Sequence, residues 1–320
     1  MSILNGFKTF ERYLKTPDGY QLYSERQLAK DVLMGDGKDS NNNIENNFNE
    51  MIHDITQLSN PNLLINGDFQ VWQRGTSFTN RLSNGAYNDI GFYSSDRWYF
   101  IHMDRAHPSM KVTIDKTENG ISITSNFNAA LKQIMETPLK TNENYVISAK
   151  INGLIQTLQI AGGTYIENDY LFYETNEYEA IGIKLKAGTT IIEWVKLEQG
   201  SIATSFVSKT YAEELLMCQR YYYVLPYAQY VGTIANGVNM YIHSDWVRNH
   251  MRDSKTIINS LTEGIMICYD GGGNAVTVRS ITWNYDSLEF ILSESVTINR
   301  VVYVYFINNS NYIAVDAELY

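Results

Sequence analysis

Apolar residues alternate with polar ones over most of the segment from residue 62 to about residue 209, with glycine- and asparagine-rich turns between the alternating stretches. Residues 145–151 and 191–197 are clear examples, and the turn Asn152-Gly153 follows the first. Alternate side chains of a strand lie on one face, so this pattern predicts antiparallel strands with one face in a core. Because no helical pattern intervenes, residues 61–209 are predicted to form a β-sandwich of the jelly-roll type.

Short apolar segments predict further strands in the C-terminal third of the chain, after a bridge at residues 205–217. In the bridge, Phe206 and Val207 are expected to form a last sandwich strand, and residues 212–216 a short helix. Residues 301–307 are apolar on both faces, which indicates a strand in a core or at a subunit interface. Residues 210–320 are therefore predicted to form a second antiparallel, jelly-roll-like β-sandwich. The predicted strands are residues 221–225, 238–242, 265–269, 275–278, 288–292 and 301–307.

One helical pattern precedes the strands and ends at Asn60-Pro61. Its apolar residues recur at spacings of 4, 3, 4 and 3, which is a heptad seam. An isolated helix of this length is marginal in water, so it must pack on something. Self-association of residues 39–60 into a three-stranded bundle, giving a homotrimer, is the preferred interpretation; packing against the chain's own β-domain is the alternative. The seam consists of Ile44, Phe48, Met51, Ile55 and Leu58.

Charge and cysteine content narrow the function classes. A net charge of −10 argues against nucleic acid as a partner, because phosphate binding needs clustered Lys and Arg. Only Cys218 and Cys268 are present, too few for a disulfide framework. No run approaches the roughly 18 apolar residues of a membrane span, and the first residues lack the pattern of a signal peptide. We therefore expect synthesis in a cytoplasm and no membrane insertion.

Three segments in a fixed order carry a family resemblance: residues 62–75 together with 96–98, residues 216–222, and residues 315–319. They resemble landmarks of the carbohydrate-binding-like jelly-roll module of phage tail fibre and receptor-binding proteins. The resemblance implies a mainly β homotrimer of the virion tail. In such a protein, residues 1–38 are an arm that docks to tail or baseplate proteins. Residues 61–209 are a spacer or glycan reader, and residues 210–320 the distal domain that contacts the host.

The first landmark also suggests individual roles. Leu63, Ile65 and Phe69 are expected to line the core. Asn66-Gly67-Asp68 is typical of a turn or bulge whose backbone only glycine tolerates, and the whole segment is expected to be the first strand of the sandwich.

Two tryptophans and two arginines accompany that segment. Trp72 and Trp98 are expected to fill the core, although aromatic faces of this kind also stack on sugar rings. Arg74 and Arg97 are expected to pair with Asp68 or Asp96 inside the module.

An aromatic and basic set in the C-terminal third is the candidate receptor site. Trp, Tyr and Arg are enriched at binding hot spots, and the set lies in a turn-rich stretch. Packing between subunits is the competing interpretation. The set is Tyr241, His243, Trp246, Arg248 and Arg252, joined by Trp283 and Tyr285.

No motif indicates catalysis, a cofactor or a metal. An EF-hand-like spacing from Asp39 to Glu50 has Ile44 in place of the required glycine. His243, Asp245 and His250 lack the spacing of a zinc site, and no nucleophile elbow exists. We therefore expect no enzyme, and the resemblance implies a protein that attaches a phage or phage-tail-like particle to a host glycan or surface protein. The alternatives are a structural baseplate or fibre component, and a surface-polysaccharide hydrolase.

Overall fold

The computed structural model forms two compact units, residues 1–59 and residues 60–320. In the first unit, strands β1 (Arg12–Thr16) and β2 (Gly19–Tyr23) pair as an antiparallel hairpin. The predicted trimerisation residues Ile44, Phe48, Met51, Ile55 and Leu58 lie outside the described residues, so that seam stays a prediction. The structure describes residues 12–16, 19–23, 59–79, 91–103, 110–161, 163–175, 178–225, 230–234, 237–243, 247, 250–252, 256–259, 265–269, 275–284, 287–295, 301–306 and 313–318.

Twelve strands form two six-stranded antiparallel sheets that pack around one core. The first sheet has the order β10-β9-β14-β7-β6-β3, and the second has the order β11-β12-β13-β8-β5-β4. This confirms the mainly β class and the sandwich predicted for the middle of the chain. The strands are β3 (Ser77–Thr79), β4 (Gly91–Tyr93), β5 (Tyr99–His102), β6 (Val112–Thr117), β7 (Gly120–Ser125), β8 (Ala129–Ile134), β9 (Asn144–Ile151), β10 (Leu154–Ala161), β11 (Ile166–Glu167), β12 (Leu171–Thr175), β13 (Glu179–Leu185) and β14 (Gly188–Gln199).

The alternation in the sequence corresponds to the inner faces of these sheets. Ile147 and Leu197 are directly opposite each other on β9 and β14, and both are fully buried. The turn Asn152-Gly153 has φ values of 48° and 79°, the left-handed conformation that a two-residue hairpin requires, and it fixes the register of β9 and β10.

Two segments that were predicted as strands are irregular. Residues 62–73 form turns and bends, because Asn66 and Phe69 have φ values of 56° and 57°. Leu63 is consequently 47% exposed rather than in the core, whereas Phe69 is buried as expected. Phe206 and Val207 also lie outside any strand, in a segment that crosses the outer face of the first sheet.

The C-terminal region begins with helix α1 (Tyr211–Gln219), which confirms the predicted short helix. Thr210 and Glu213 form a capping box at its start. The remaining strands make a three-stranded sheet, β15-β23-β18, and a closed six-stranded barrel, β16-β17-β21-β20-β19-β22, rather than the second sandwich that was predicted. They are β15 (Tyr222–Val224), β16 (Tyr230–Ile234), β17 (Asn239–His243), β18 (Thr256–Asn259), β19 (Ile265–Tyr269), β20 (Ala275–Asn284), β21 (Ser287–Leu292), β22 (Val301–Phe306) and β23 (Ile313–Asp316).

Most predicted strand positions in this region are confirmed, and the error concerns how the strands join. Strand order depends on long-range pairing that alternation does not encode. The change from sandwich strands to helix falls between Gln199 and Tyr211, and the predicted domain limits stay predictions.

Candidate functional site

Five charged side chains from the first and third landmark segments meet in one buried cluster, called here the junction cluster. Arg74 NH2 lies 3.3 Å from Glu318 Oε1 and 3.5 Å from Asp316 Oδ2, and Arg74 NH1 lies 3.3 Å from Asp96 Oδ1. Arg97 NH1 donates to the other oxygen of Glu318. All five side chains are nearly inaccessible to solvent. Arg74 pairs with Asp96, as the sequence predicted. Arg97 pairs with Glu318, so the prediction that it pairs with Asp68 or Asp96 was wrong.

Aromatic rings cover both guanidinium groups. The guanidinium carbon of Arg97 lies 3.6 Å from the centroid of the Tyr221 ring, and that of Arg74 lies 3.6 Å from the centroid of the Tyr222 ring. The centroid of the Tyr93 ring lies 5.1 Å from the guanidinium carbon of Arg74. A cation packed against the face of a ring is stabilised by about 0.5–2 kcal/mol. Tyr221 and Tyr222, at the end of the second landmark, therefore make cation–π contacts with the two arginines of the first landmark.

Asn66 explains why the first landmark is irregular. Its side-chain Nδ2 donates to Val71 O at 2.9 Å and to Asp96 O at 3.0 Å, while its Oδ1 accepts from Val71 N at 2.9 Å. Its backbone oxygen accepts from Trp98 Nε1 at 2.8 Å. Its backbone N–H donates to Glu214 Oε2 at 2.6 Å, which ties the segment to α1. Asparagine is suited to the left-handed backbone at this position.

Gly67 is required for close packing and not for an unusual φ. A Cβ at this position would lie 2.3 Å from Asn62 Nδ2 and 2.5 Å from Val195 O. Val195 N donates to Gly67 O at 2.7 Å, so the segment is held directly against β14. The expectation that the backbone conformation itself demands glycine was therefore wrong, although glycine is needed.

Trp72 and Trp98 are both buried in the sandwich core, as expected. Trp98 is fully buried and its ring centroid lies 5.1 Å from that of Phe69. Trp72 Nε1 donates to Phe69 O at 2.5 Å. Neither ring has a free face for a sugar, so these residues stabilise the fold.

Burial determines the electrostatics of the junction cluster. Removal from water raises the pKa of Asp96 to about 6, and the Arg74 guanidinium opposes that rise. Burial likewise raises the pKa of Glu214, against the lowering effect of the Asn66 N–H. The cluster contains three carboxyl groups and two guanidinium groups, so the charges balance when one carboxyl holds a proton.

A more exposed layer of charges adjoins the cluster. Arg220 NH2 lies 2.6 Å from Glu136 Oε1, and Tyr221 OH donates to Glu136 Oε2 at 2.6 Å. The hydrogen bond from Arg220 is the main reason that the pKa of Glu136 is lowered. Arg252 Nε lies 3.5 Å from Glu136 Oε1, and Arg252 NH1 donates to Ala317 O at 2.8 Å. These side chains bind one another across the boundary between the sandwich and the C-terminal strands.

Three side chains of the receptor set expected from the sequence lie within the described residues. Arg252 belongs to the layer around Glu136, whereas Tyr241 and Trp283 lie on the barrel. Tyr241 is opposite Glu289 on β21 and donates to its Oε1 at 2.9 Å, on the outer face. Trp283 is opposite Leu288 on β21, which is fully buried. The Trp283 side chain therefore packs against the core inside the barrel. The side chain of His243, together with Trp246, Arg248 and Tyr285, lies outside the described residues, and the set as a whole stays a prediction.

Two searches of the described residues gave negative results. None of their His, Cys, Asp and Glu side chains form a group of three or more that could hold a metal ion. No helix in the described ranges is long and apolar enough to cross a membrane. Asp39 and Glu50 of the EF-hand-like stretch lie outside these ranges.

Comparisons with protein-family models, with curated proteins and with solved structures found no match to this chain. The fold therefore defines the class of protein only as mainly β, a sandwich followed by a barrel. Membership of a phage tail family stays a prediction that rests on the three landmark segments.

Proposed function

We propose that this chain is a host-attachment protein of a phage tail or a phage-tail-like particle. It attaches the particle by multivalent binding to a cell-surface glycan or protein and catalyses no reaction. The observation that carries the proposal is the junction cluster. The three segments that resemble the phage family are far apart in sequence, yet their side chains bind one another directly. The resemblance thus concerns one physical unit and not three separate matches.

The buried ion pairs between the sandwich and the residues that follow β23 of the three-stranded sheet suit this role. Arg97 and Arg74 are held by Glu318 near the end of the chain, so the two parts cannot separate without exposing unpaired charges. In a homotrimer, fixed distances between identical binding surfaces convert later contacts into intramolecular ones. Avidity then exceeds the affinity of one site by about 10²–10⁴-fold if the sites can engage together.

The proposed assembly has two further parts that follow from the sequence. The arm at residues 1–38 docks to tail or baseplate proteins, and the seam from Ile44 to Leu58 forms the trimer. Sedimentation equilibrium of the full chain tests the trimer directly. We expect three times the monomer mass, and a monomer at micromolar concentration would contradict it.

Binding of the labelled full chain to sensitive and resistant bacterial strains tests the function itself. We expect the chain to coat sensitive cells and to block attachment of the particle, with no release of sugar from the cell surface. A purely structural fibre component would assemble with tail proteins and bind no strain. Release of reducing sugar would instead indicate the hydrolase.

The predicted receptor set can be tested in the same assay. If that set holds the receptor, Trp246→Ala abolishes binding to cells and leaves the trimer intact. Tyr178→Ala, which changes an exposed tyrosine of the sandwich, serves as the matched control. Unchanged binding by the Trp246 variant would refute this assignment without refuting attachment.

A further inference from the structure

Within the described ranges, one segment covers half of the outer face of the first sheet. After β14, the chain turns back across Lys196 and Glu198, and the side chain of Thr204 bonds to both. The covering segment reaches Phe206, whose ring stacks on Trp194 with centroids 5.0 Å apart and planes inclined by 5°. Beyond Trp194 the outer face is exposed to solvent, as the exposure of Thr124 and Thr189 illustrates.

Hydroxyl groups form a row across this open half. Thr79, Thr113, Thr124 and Thr189 are directly opposite one another on β3, β6, β7 and β14. With strands about 4.8 Å apart, the row is about 14 Å long. Thr124 and Thr189 share a hydrogen bond of 2.9 Å between their hydroxyl oxygens. Each hydroxyl can still donate or accept further bonds, because one oxygen has a donor and two lone pairs.

A second row runs parallel to the first. Ser77, Asp115 and Ser122 are in register on β3, β6 and β7, and Ile191 on β14 continues the row. Ser77 Oγ donates to Asp115 Oδ1 at 2.6 Å. The two rows together are called here the hydroxyl face.

Apolar and aromatic side chains border the hydroxyl face on one side. Ile191 is 44% exposed and Ile155, on edge strand β10, is 62% exposed. Trp194 is half-buried, opposite Lys150 in the register, and Lys150 is in turn opposite Ile155. The stack on Phe206 fixes the plane of the Trp194 ring. A sugar ring has apolar C–H faces and polar hydroxyl edges. The apolar border can contact the faces, and the row of threonine hydroxyls can bind the edges.

The charges on this surface give an anionic ligand no net attraction. Its acidic groups are Asp115 and Glu193. Its basic groups are Lys150, whose Nζ lies 2.7 Å from Glu193 Oε2, and exposed Lys111, which precedes Thr113 by two residues. These charges sum to zero, and one of the two cations is already paired. A polymer of phosphates or uronates would meet no net positive charge, whereas a neutral ligand needs none.

We propose that the hydroxyl face and its border at Ile155 and Trp194 bind an extended neutral polysaccharide. The inference rests on the proposed function, because the polysaccharide is the host-surface receptor, and it places that receptor on the sandwich and not on the barrel. Sugar hydroxyls exchange hydrogen bonds with the threonine row, and the apolar sugar faces lie on Trp194 and Ile155.

Native gels cast with a neutral glucan, mannan or galactan, or with a teichoic acid, test this directly. We expect at least one neutral polymer to retard the full chain and the teichoic acid to leave its mobility unchanged. Retardation by the teichoic acid alone, or by no polymer, would overturn the proposal.

Thr124→Arg introduces a long charged side chain in the middle of the hydroxyl face without changing the core. We expect it to weaken retardation by about tenfold or more. Thr282→Arg makes the same change at an exposed threonine of barrel strand β20 and should behave as wild type. Trp194→Ala should also weaken retardation. Equal retardation of both arginine variants would overturn the proposal. So would a change of oligomeric state in Thr124→Arg alone, because the face would then be covered by a second copy.

The cell-binding assay separates the two proposals. If wild type coats sensitive cells and Thr124→Arg does so equally, host attachment stands and the hydroxyl face is not the receptor site. If wild type is retarded by a neutral polymer in a Thr124-dependent way but binds no strain, the face is a glycan site and host attachment fails.

Discussion

The backbone N–H of Arg97 donates to Glu318 Oε1 at 3.3 Å, while its guanidinium donates to Glu318 Oε2. The two residues are 221 positions apart, and one carboxylate accepts both bonds. Arg97 has a φ of 73°, a conformation that non-glycine residues adopt at a cost of about 1 kcal/mol or more. The turn that presents Arg97 is thus held by a residue near the other end of the chain, and this contact ties the residues that follow β23 to the sandwich.

Replacement of Glu318 should destabilise the protein strongly. Glu318→Gln keeps the shape of the side chain but removes the carboxylate that pairs with the buried Arg97, whereas Arg74 keeps Asp96 and Asp316. Breaking a buried pair in this way costs about 3–5 kcal/mol. We expect a loss of that size in the free energy of unfolding, measured by denaturation in guanidinium chloride and followed by tryptophan fluorescence.

A matched control separates burial from charge. Glu143 pairs with Lys140 at 2.9 Å on the surface, so Glu143→Gln should leave the unfolding midpoint unchanged. Equal effects of the two variants would show that the junction cluster contributes no more than a surface ion pair.

Asp96 should make stability depend on pH in the direction opposite to that of a usual ion-paired carboxylate. Its pKa in the folded protein is about 6, above the ordinary value of 3.8, so the folded state binds the proton more tightly. The contribution of Asp96 to stability is therefore greatest below about pH 4 and falls as the pH rises to about 6. The loss is on the order of 2–3 kcal/mol.

Asp96→Asn removes this titration. The variant lacks a hydrogen bond, so at pH 4 its free energy of unfolding is lower than that of the wild type. Only the wild type loses the contribution of Asp96 as the pH rises, so the difference between the two proteins should narrow from pH 4 to pH 7. Chemical unfolding at several pH values measures it. Parallel curves for the two proteins would show that Asp96 is ionised throughout.

Gly67→Ala should destabilise the sandwich although the backbone at residue 67 is unstrained. The added Cβ would lie within 2.5 Å of Val195 O, which belongs to the backbone of β14 and cannot rotate away. Overpacking of this kind costs about 1–3 kcal/mol. Gly153→Asn is the control, because that position has open space and a left-handed backbone that asparagine tolerates. A smaller loss for Gly67→Ala than for the control in thermal unfolding would contradict the steric explanation.

The local pattern was sufficient to predict several of the strands. Alternation identified β9 and β14, and the Asn152-Gly153 dipeptide identified the hairpin between β9 and β10, because both signals depend on neighbours in sequence. The barrel could not be predicted in this way. Its closure requires β16 to pair with β22, and no local feature of either strand specifies the other.

The junction cluster was predicted only in part for the same reason. Arg74 and Asp96 were recognised as a pair because both lie in the first landmark, whereas Glu318 was not recognised as a partner. A signal was present: the first landmark has two arginines, and the last has Asp316 and Glu318, so their charges are complementary. The hydroxyl face was missed because its four threonines come from four strands that are adjacent only after folding.

The segment that covers half of the first sheet should depend on a single hydroxyl. Thr204 Oγ1 accepts from Lys196 Nζ at 2.7 Å and donates to Glu198 Oε2 at 2.5 Å, and both charged side chains are buried. Thr204→Val keeps the shape but leaves each of them one hydrogen bond short, which should cost about 1–3 kcal/mol in the free energy of unfolding. Thr157→Val, at an exposed position of β10, should change it little. Because Phe206 follows Thr204, the same variant should also loosen the stack on Trp194, seen as a shift in tryptophan emission; an unchanged spectrum together with unchanged stability would refute this role for the hydroxyl.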